Sequence, residues 1–257
     1  MGKITAVANQ KGGVGKTTTA INISASLADA GKRVLLVDTD PQGNSTSGLG
    51  LDKDNLYGSL YDLYTGTRTL EETIMDTTLP SLKIIPSNIE LIGSELELAT
   101  KEGRETVLRQ ALEPLRHRFD YIFIDCPPSL SLLTLNALVA ADSLLVPMQC
   151  EYYALEGISM LLRTFNLIKN SFNPSLEIEG ILLTMFDGRN TLANQVSDEL
   201  KRHFGNKVYT TLIPRNVTLA EAPSHGKPVI LYDVRSKGAQ SYLELAKEIM
   251  KNEAGVG

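Results

Sequence analysis

A run of eight residues, Lys11-Gly-Gly-Val-Gly-Lys-Thr-Thr18, brings together three glycines, two lysines and two neighbouring hydroxyls. Glycines allow successive backbone N–H groups to turn toward one point and cradle an anion, and a lysine supplies the countercharge. The spacing approaches G-x-x-x-x-G-K-[ST]: Gly15-Lys16-Thr17 is in place, but Gln10 stands where the pattern opens with glycine. Gly12, Gly13, Val14, Gly15 and Thr18 then line a phosphate chain, Lys16 contacts it, and Thr17 offers its hydroxyl to Mg²⁺. Lys11 is a second cation that the pattern does not demand. Three carboxylates complete the set: Asp38 and Asp40 in Asp38-Thr-Asp-Pro-Gln-Gly43, and Asp125 in Asp125-Cys-Pro-Pro128. Asp125 is placed to hold Mg²⁺ through water, with Thr17 and Asp38 as the other candidate metal-holding residues, while Asp38 or Asp40 can orient an attacking water. A single aspartate after a strand is often a turn or cap residue. Three such groups beside a glycine-rich loop point to nucleotide binding.

The elements that must position these groups follow from the apolar pattern. Lys3–Asn9 reads as a short strand, and Thr17–Ala30 as a helix ending at Gly31. Arg33–Asp38 is a continuous apolar run of the kind a parallel strand buried on both faces requires. Similar runs recur at Leu82–Pro86, Tyr121–Asp125, Ser143–Pro147, Ile178–Thr184 and Val208–Ile213. Helical stretches separate them at Arg104–His117, Leu132–Ala140, Glu156–Asn170, Asn190–Phe204 and Ala239–Asn252. Strand alternating with helix predicts an α/β fold, a mostly parallel central sheet with helices on both faces, because parallel strands need crossovers. Ligands of such a sheet collect beyond the carboxyl ends of its strands, where the glycine-rich loop and both acidic segments converge.

A length of 257 residues fits one domain spanning 1–257, with no repeat or linker to divide it. No apolar run approaches a membrane span, and the N-terminal residues lack signal-peptide and myristoylation patterns, so the expected location is cytoplasmic. Cys126 and Cys150 lack CxxC spacing and read as buried strand thiols. The net charge of -5 argues against a protein that coats nucleic acid indiscriminately. The charge is uneven, however: residues 1–188 hold 15 basic and 23 acidic side chains, whereas residues 189–257 hold 10 and 7. A basic C-terminal quarter permits a local phosphate-contacting face.

Together with Ile213-Pro-Arg-Asn-Val217 and Glu221-Ala-Pro-Ser-His-Gly-Lys-Pro228, these motifs resemble the ParA/Soj chromosome-partitioning ATPases, a deviant Walker A class of P-loop NTPases, over essentially the whole chain. The resemblance implies ATP and Mg²⁺ as cofactors and a homodimer that sandwiches two nucleotides. Lys11 would be the signature lysine reaching the partner's phosphates, Lys16 the β- and γ-phosphate ligand, Asp40 the water-orienting residue and Asp125 the Walker B residue. Lys11, Lys16 and Asp40 are the catalytic candidates, and Pro214 and Asn216 align with the segment around the adenine. The resemblance further implies nonspecific double-stranded DNA binding, nucleoid association and slow hydrolysis stimulated by a ParB-like partner with a basic tail. With no helix-turn-helix segment read before Lys3, the larger, operator-reading plasmid type is not expected.

Two other readings have distinct marks. Membrane-cycling MinD proteins resemble this chain but carry a cationic amphipathic C-terminal helix; here Tyr242–Glu253 mixes Glu244, Glu248 and Glu253 with Lys247 and Lys251, a pattern suited to packing on the domain. Nitrogenase iron-protein relatives bridge a cluster with two thiolates per subunit; Cys126 adjoins Asp125, but Cys150 stands outside that family's second motif. The DNA-contact candidates are Arg189, Arg235, Lys237, Lys247 and Lys251, ahead of Lys201 and Arg202, which sit beside Asp198 and Glu199. Thr218 occupies a position where relatives commonly carry a basic residue.

Overall fold

The computed structural model describes residues 1–151 and 154–254, excepting the side chains of residues 155 and 156. Seven strands form one sheet: β1 (Lys3–Val7), β2 (Val34–Asp38), β3 (Met75–Asp76), β4 (Leu82–Ile85), β5 (Tyr121–Asp125), β6 (Ser143–Gln149) and β7 (Glu177–Thr184). Their order across the sheet is β3-β4-β2-β5-β1-β6-β7, and every pairing is parallel except the short edge strand β3 against β4. Both faces are apolar because alternate side chains of one strand enter different cores: Ile122 and Ile124 of β5 face one, Tyr121 and Phe123 the other.

The helices are α1 (Lys16–Asp29), α2 (Asn44–Gly48), α3 (Leu60–Thr65), α4 (Leu70–Thr73), α5 (Leu91–Ala99), α6 (Val107–Leu112), α7 (Leu132–Ala140), α8 (Ala154–Ser171), α9 (Thr191–Phe204), α10 (Val217–Glu221), α11 (Val229–Tyr232) and α12 (Lys237–Ala254). Helices α1 and α10–α12 fill one face; α3 and α5–α9 fill the other. The helix expected over Arg104–His117 divides, since Pro114 falls where α6 gives way to a 3-10 turn, Glu113–His117. Short α3 and α4 were not read from the periodicity. Each begins with a reciprocal cap, in which Asp62 accepts from the Ser59 amide at 2.9 Å and Glu72 from the Thr69 amide at 2.8 Å.

One expected strand does not form. Val208–Ile213 meets β7 only at its ends: Val208 bridges Ile181, the Tyr209 and Ile213 amides donate to the Ile181 and Leu183 carbonyls at 3.0 and 2.9 Å, and the next residue, Pro214, bridges Phe186. The amides of Thr210 and Thr211 donate instead to the Glu248 carboxylate of α12, at 2.8 and 2.9 Å, so they are withdrawn from a β ladder. The segment therefore follows β7 at its two ends and is held by α12 between them.

Helix α12 lies on α1, with Tyr242 and Thr19 sharing a buried hydroxyl contact of 3.1 Å. Near its end Glu253 accepts from Lys3 at 3.2 Å and also bonds the Tyr121 hydroxyl at 2.5 Å. No helix among the described residues is long and apolar enough to cross a membrane. On the opposite face, buried Asn173 donates to the carbonyls of Leu138, Val139 and Ala141 at 3.0, 3.2 and 2.7 Å, closing the C-terminus of α7. Asn173→Ala should therefore cost about 1–3 kcal/mol by leaving buried carbonyls unpaired. Urea unfolding would show this as a lower midpoint at unchanged slope.

Candidate nucleotide site

The loop from Val7 to Lys16 leaves the interior strand β1 and runs into α1, so its amides and the positive end of α1 share one cleft. Gly13 and Gly15 have φ of 73° and 88°, the left-handed region that other residues enter at a cost. Neighbouring strand ends brace this loop. Asn9 donates to the Pro147 carbonyl at 2.8 Å and accepts from the Lys11 amide at 3.1 Å. Thr184 donates to the Val14 carbonyl at 2.8 Å, and Gln149 to that of Gly13 at 2.8 Å. The cleft has a volume of about 600 Å³ and is lined by Gly12, Gly13, Gly15, Lys16, Thr17 and Thr18, with Asp40, the Pro127–Ser129 turn and Met185 at its sides.

Lys16 is buried, and its ammonium donates to the Lys11 carbonyl at 3.1 Å. Loss of solvent lowers its pKa, with Asp125 and Asp40 nearby acting in the other direction. Asp38 and Asp125 are fully buried neighbours in the β2–β5 register. Asp38 is well provided for: it accepts from the Thr46 amide at 2.9 Å, the Thr46 hydroxyl at 2.8 Å and the Asp40 amide at 3.2 Å. Asp125 accepts from Ser45 at 2.8 Å through one oxygen, and its Oδ1 has no hydrogen-bond partner. Burial pushes Asp125 up to about 8, reinforced by Asp38, and pushes Asp38 up to about 6. The Thr17 hydroxyl lies close enough to Asp125 to favour its charged form.

This donor set fits a divalent cation, because a buried carboxylate oxygen without a partner beside a threonine hydroxyl is completed by a hard ion. Among the described residues no three Asp, Glu, His or Cys side chains converge on a metal-sized point. An ion here would take most of its oxygens from phosphate and water, as Mg²⁺ does. Asp38, whose oxygens already have donors, orients α2 and the Asp40 turn.

A family model described as an AAA domain matches residues 2–178. The sporulation initiation inhibitor protein Soj of Bacillus subtilis is 57% identical over 98% of this chain and all of its own length. The chromosome partitioning protein ParA of Myxococcus xanthus is 55% identical over 98% of this chain and 89% of its own. The chain belongs to the ParA/Soj chromosome-partitioning family. It also superposes, with TM-score 0.87 and 38% identity, on cobyrinic acid a,c-diamide synthase from Mycobacterium smegmatis with bound ATP analogue and magnesium, covering 100% of this chain and 98% of that one.

Within this ParA/Soj fold the remaining candidates divide. Lys11 does not line the cleft; its ammonium pairs with Glu151, just beyond β6, and both side chains are about half exposed. Glu151, Ser45, Thr46, Gln149 and Thr184 were not singled out from sequence, since all but Thr46 act through a contact distant along the chain. Ser45 and Thr46 follow the Asp38–Gly43 motif by only a few residues, which is the one signal available for them. Pro214 and Asn216 stand beside the cleft rather than in it: Pro214 pairs with Phe186, and Asn216 caps α10 by accepting from the Leu219 amide at 3.3 Å. Arg189 is 91% exposed and grips Asp187 through two guanidinium nitrogens, at 2.9 and 2.7 Å. Lys237, Lys247 and Lys251 share the exposed stripe of α12 with Glu244, while Arg235 precedes that helix. The stripe begins beside the nucleotide end, where Gly238 meets Asn216, and ends near Glu253 at the opposite edge of the sheet. Arg189 and Lys251 are thus at different ends of the molecule. Both thiols are buried, which pushes Cys150 up to about 11 and Cys126 further, so neither is a thiolate at neutral pH.

The raised Asp125 has a measurable consequence. Its folded pKa exceeds the unfolded one, so the metal-free chain loses stability from Asp125 as pH rises from about 4 to about 8. Asp125→Asn should raise the melting temperature of the nucleotide-free chain, by a margin growing over that window, while removing the added stabilisation by Mg²⁺ with ATP.

Proposed function

We propose that this chain is an ATP-dependent switch in chromosome or plasmid segregation: it binds ATP with Mg²⁺, dimerises around the nucleotides, holds DNA without sequence preference in that state, and lets go on slow hydrolysis. The observation that carries the reading is the unpartnered Asp125 Oδ1 beside Thr17 at the foot of a glycine cradle that also holds Lys16. Mg²⁺ bound there would draw charge from the terminal phosphates. Lys16 would exchange the Lys11 carbonyl for phosphate oxygens, and Thr17 and Asp125, the latter through water, would hold the ion. Asp40 lines the cleft, its Oδ1 held by the Gln42 amide at 2.9 Å, and would orient an attacking water. These roles make the chain an ATPase.

Lys11 supports the dimer. An ammonium outside its own cleft and on the surface is available to a second copy's phosphates once it leaves Glu151, where charge-assisted bonds to phosphate replace one exposed ion pair of small worth. A sandwich dimer also doubles every basic face, and phosphate contacts add in their salt dependence, so an acidic chain can bind DNA as a dimer. Arg189, Arg235 and Lys237, at the nucleotide end, form the first choice for that face, with Lys247 and Lys251 extending it along α12. The activating partner is of the ParB kind, as the partitioning relatives suggest, and the expected location is cytoplasmic and nucleoid-associated. A membrane cycle of the MinD type has less support, because α12 buries Tyr242, Leu245 and Ile249 and is tied down at Glu253. Amidation of a corrinoid acid, the activity in the name of the Mycobacterium smegmatis neighbour, is disfavoured by the higher identity to partitioning proteins.

Size-exclusion chromatography and duplex binding with and without ATP test the switch. Lys11→Ala should bind ATP within about 3-fold of wild type yet stay monomeric, since Lys16 and the cradle remain. Glu151→Gln should dimerise at lower ATP concentration. Asp40→Ala should lower turnover by about 100-fold and accumulate the DNA-bound dimer. Arg189→Glu should weaken binding to every duplex alike, with a shallower dependence on salt. Equal DNA binding without nucleotide would refute the switch.

A further inference from the structure

Among the described residues Met185 is the one non-glycine with positive φ, at 50°. Such conformations persist where the surroundings over-determine them, and they gather at ligand sites. The hydrogen bonds around it identify the cause. The Ile213 amide donates to the Leu183 carbonyl at 2.9 Å, and the Phe186 amide donates to the Ile213 carbonyl at 2.9 Å. A regular parallel pairing would use the Met185 amide for the second bond, so one extra residue stands opposite Ile213, as in a β-bulge. The bulge re-aims a side chain. Thr184 reaches the loop at the Val14 carbonyl, and Met185, the next residue, lines the same cleft, which an unbroken pleat would forbid. Its sulfur accepts from Gln149 at 3.0 Å, the same amide that holds the Gly13 carbonyl.

The sheet order gives the cleft a direction. Asp40 and the Pro127–Ser129 turn follow β2 and β5, on one side of β1; Met185 follows β7, on the other. With the reacting phosphate toward Asp40, the other end of a nucleotide lies toward Met185, beside Pro214, which pairs with Phe186. We infer that Met185 is the residue that seats the base, its left-handed backbone presenting a flexible, polarisable thioether to the face of a planar ring. This rests on the nucleotide reading above. The contact concerns binding of the base and not the chemistry at the phosphate.

The test uses Met185→Gly, which keeps the left-handed backbone and deletes the side chain, and Met185→Leu, which restores apolar bulk. Calorimetric titrations compare Mg²⁺ with ATP against Mg²⁺ with tripolyphosphate, which has the phosphates and no base. Met185→Gly is expected to weaken ATP by about 3-fold to 10-fold while leaving tripolyphosphate unchanged, with the loss falling on KM more than on kcat, and Met185→Leu to recover most of it. Equal weakening of both ligands would reduce Met185 to a prop of the phosphate loop and overturn the inference. So would no change in either. Failure of the wild-type chain to bind ATP while still binding tripolyphosphate would overturn the nucleotide reading itself.

Discussion

Two carboxylates, Asp38 and Asp125, lie side by side at the ends of adjacent parallel strands with no exposure to solvent. Burial raises the pKa of both, and the Asp38 charge raises Asp125 further. Much of the local architecture answers this constraint. Asp38 is satisfied by Thr46 and by the Asp40 amide, which fixes the start of α2 and the turn that carries Asp40. Asp125 receives Ser45 on one side, has Lys16 in its field and keeps one oxygen free. The metal-free protein therefore holds a destabilised acid at the point where a divalent cation would be most useful. Binding free energy and folding stability are linked at that atom.

The same strand ends that bury these acids also brace the phosphate loop. Gln149 and Thr184 hold the Gly13 and Val14 carbonyls from outside the loop, and Asn9, within it, donates to the Pro147 carbonyl of β6 and accepts from the Lys11 amide. Preorganisation of this kind lets a ligand bind without first ordering the backbone. Lys11 is the exception. Its ammonium is outside the cleft, tethered to Glu151 by a solvent-exposed pair that costs little to break. A braced loop with one loosely held cation outside its cleft is what the proposed sandwich dimer would require.

Much of this was legible in the residue pattern. Continuous apolar runs located six of the seven strands, because a parallel sheet buried on both faces has no alternative composition. Gly15-Lys16-Thr17 and the three aspartates marked the cleft, because a glycine cradle and strand-end acids are local features of spacing. The run Val208–Ile213 misled for a reason no local pattern carries: Glu248, from a distant helix, takes the Thr210 and Thr211 amides and interrupts the pairing with β7 between Tyr209 and Ile213. The two-residue strand β3 is too short for any periodicity to declare.

By itself the sequence determined the fold class, the phosphate loop, the acids beside it and the family, since these depend on neighbours within a few residues or on matched motifs. Only the tertiary structure decided how those groups divide their work. It showed that Asp38 spends its oxygens on Thr46 and Asp40 while Asp125 keeps one free, that Lys11 is held by Glu151, and that Arg189 and Lys251 stand at opposite ends of the molecule. It also placed Met185 in the cleft through a bulge. The physical reason is the same in each case: a hydrogen bond or ion pair between residues far apart along the chain exists only once the sheet has set strand order and register.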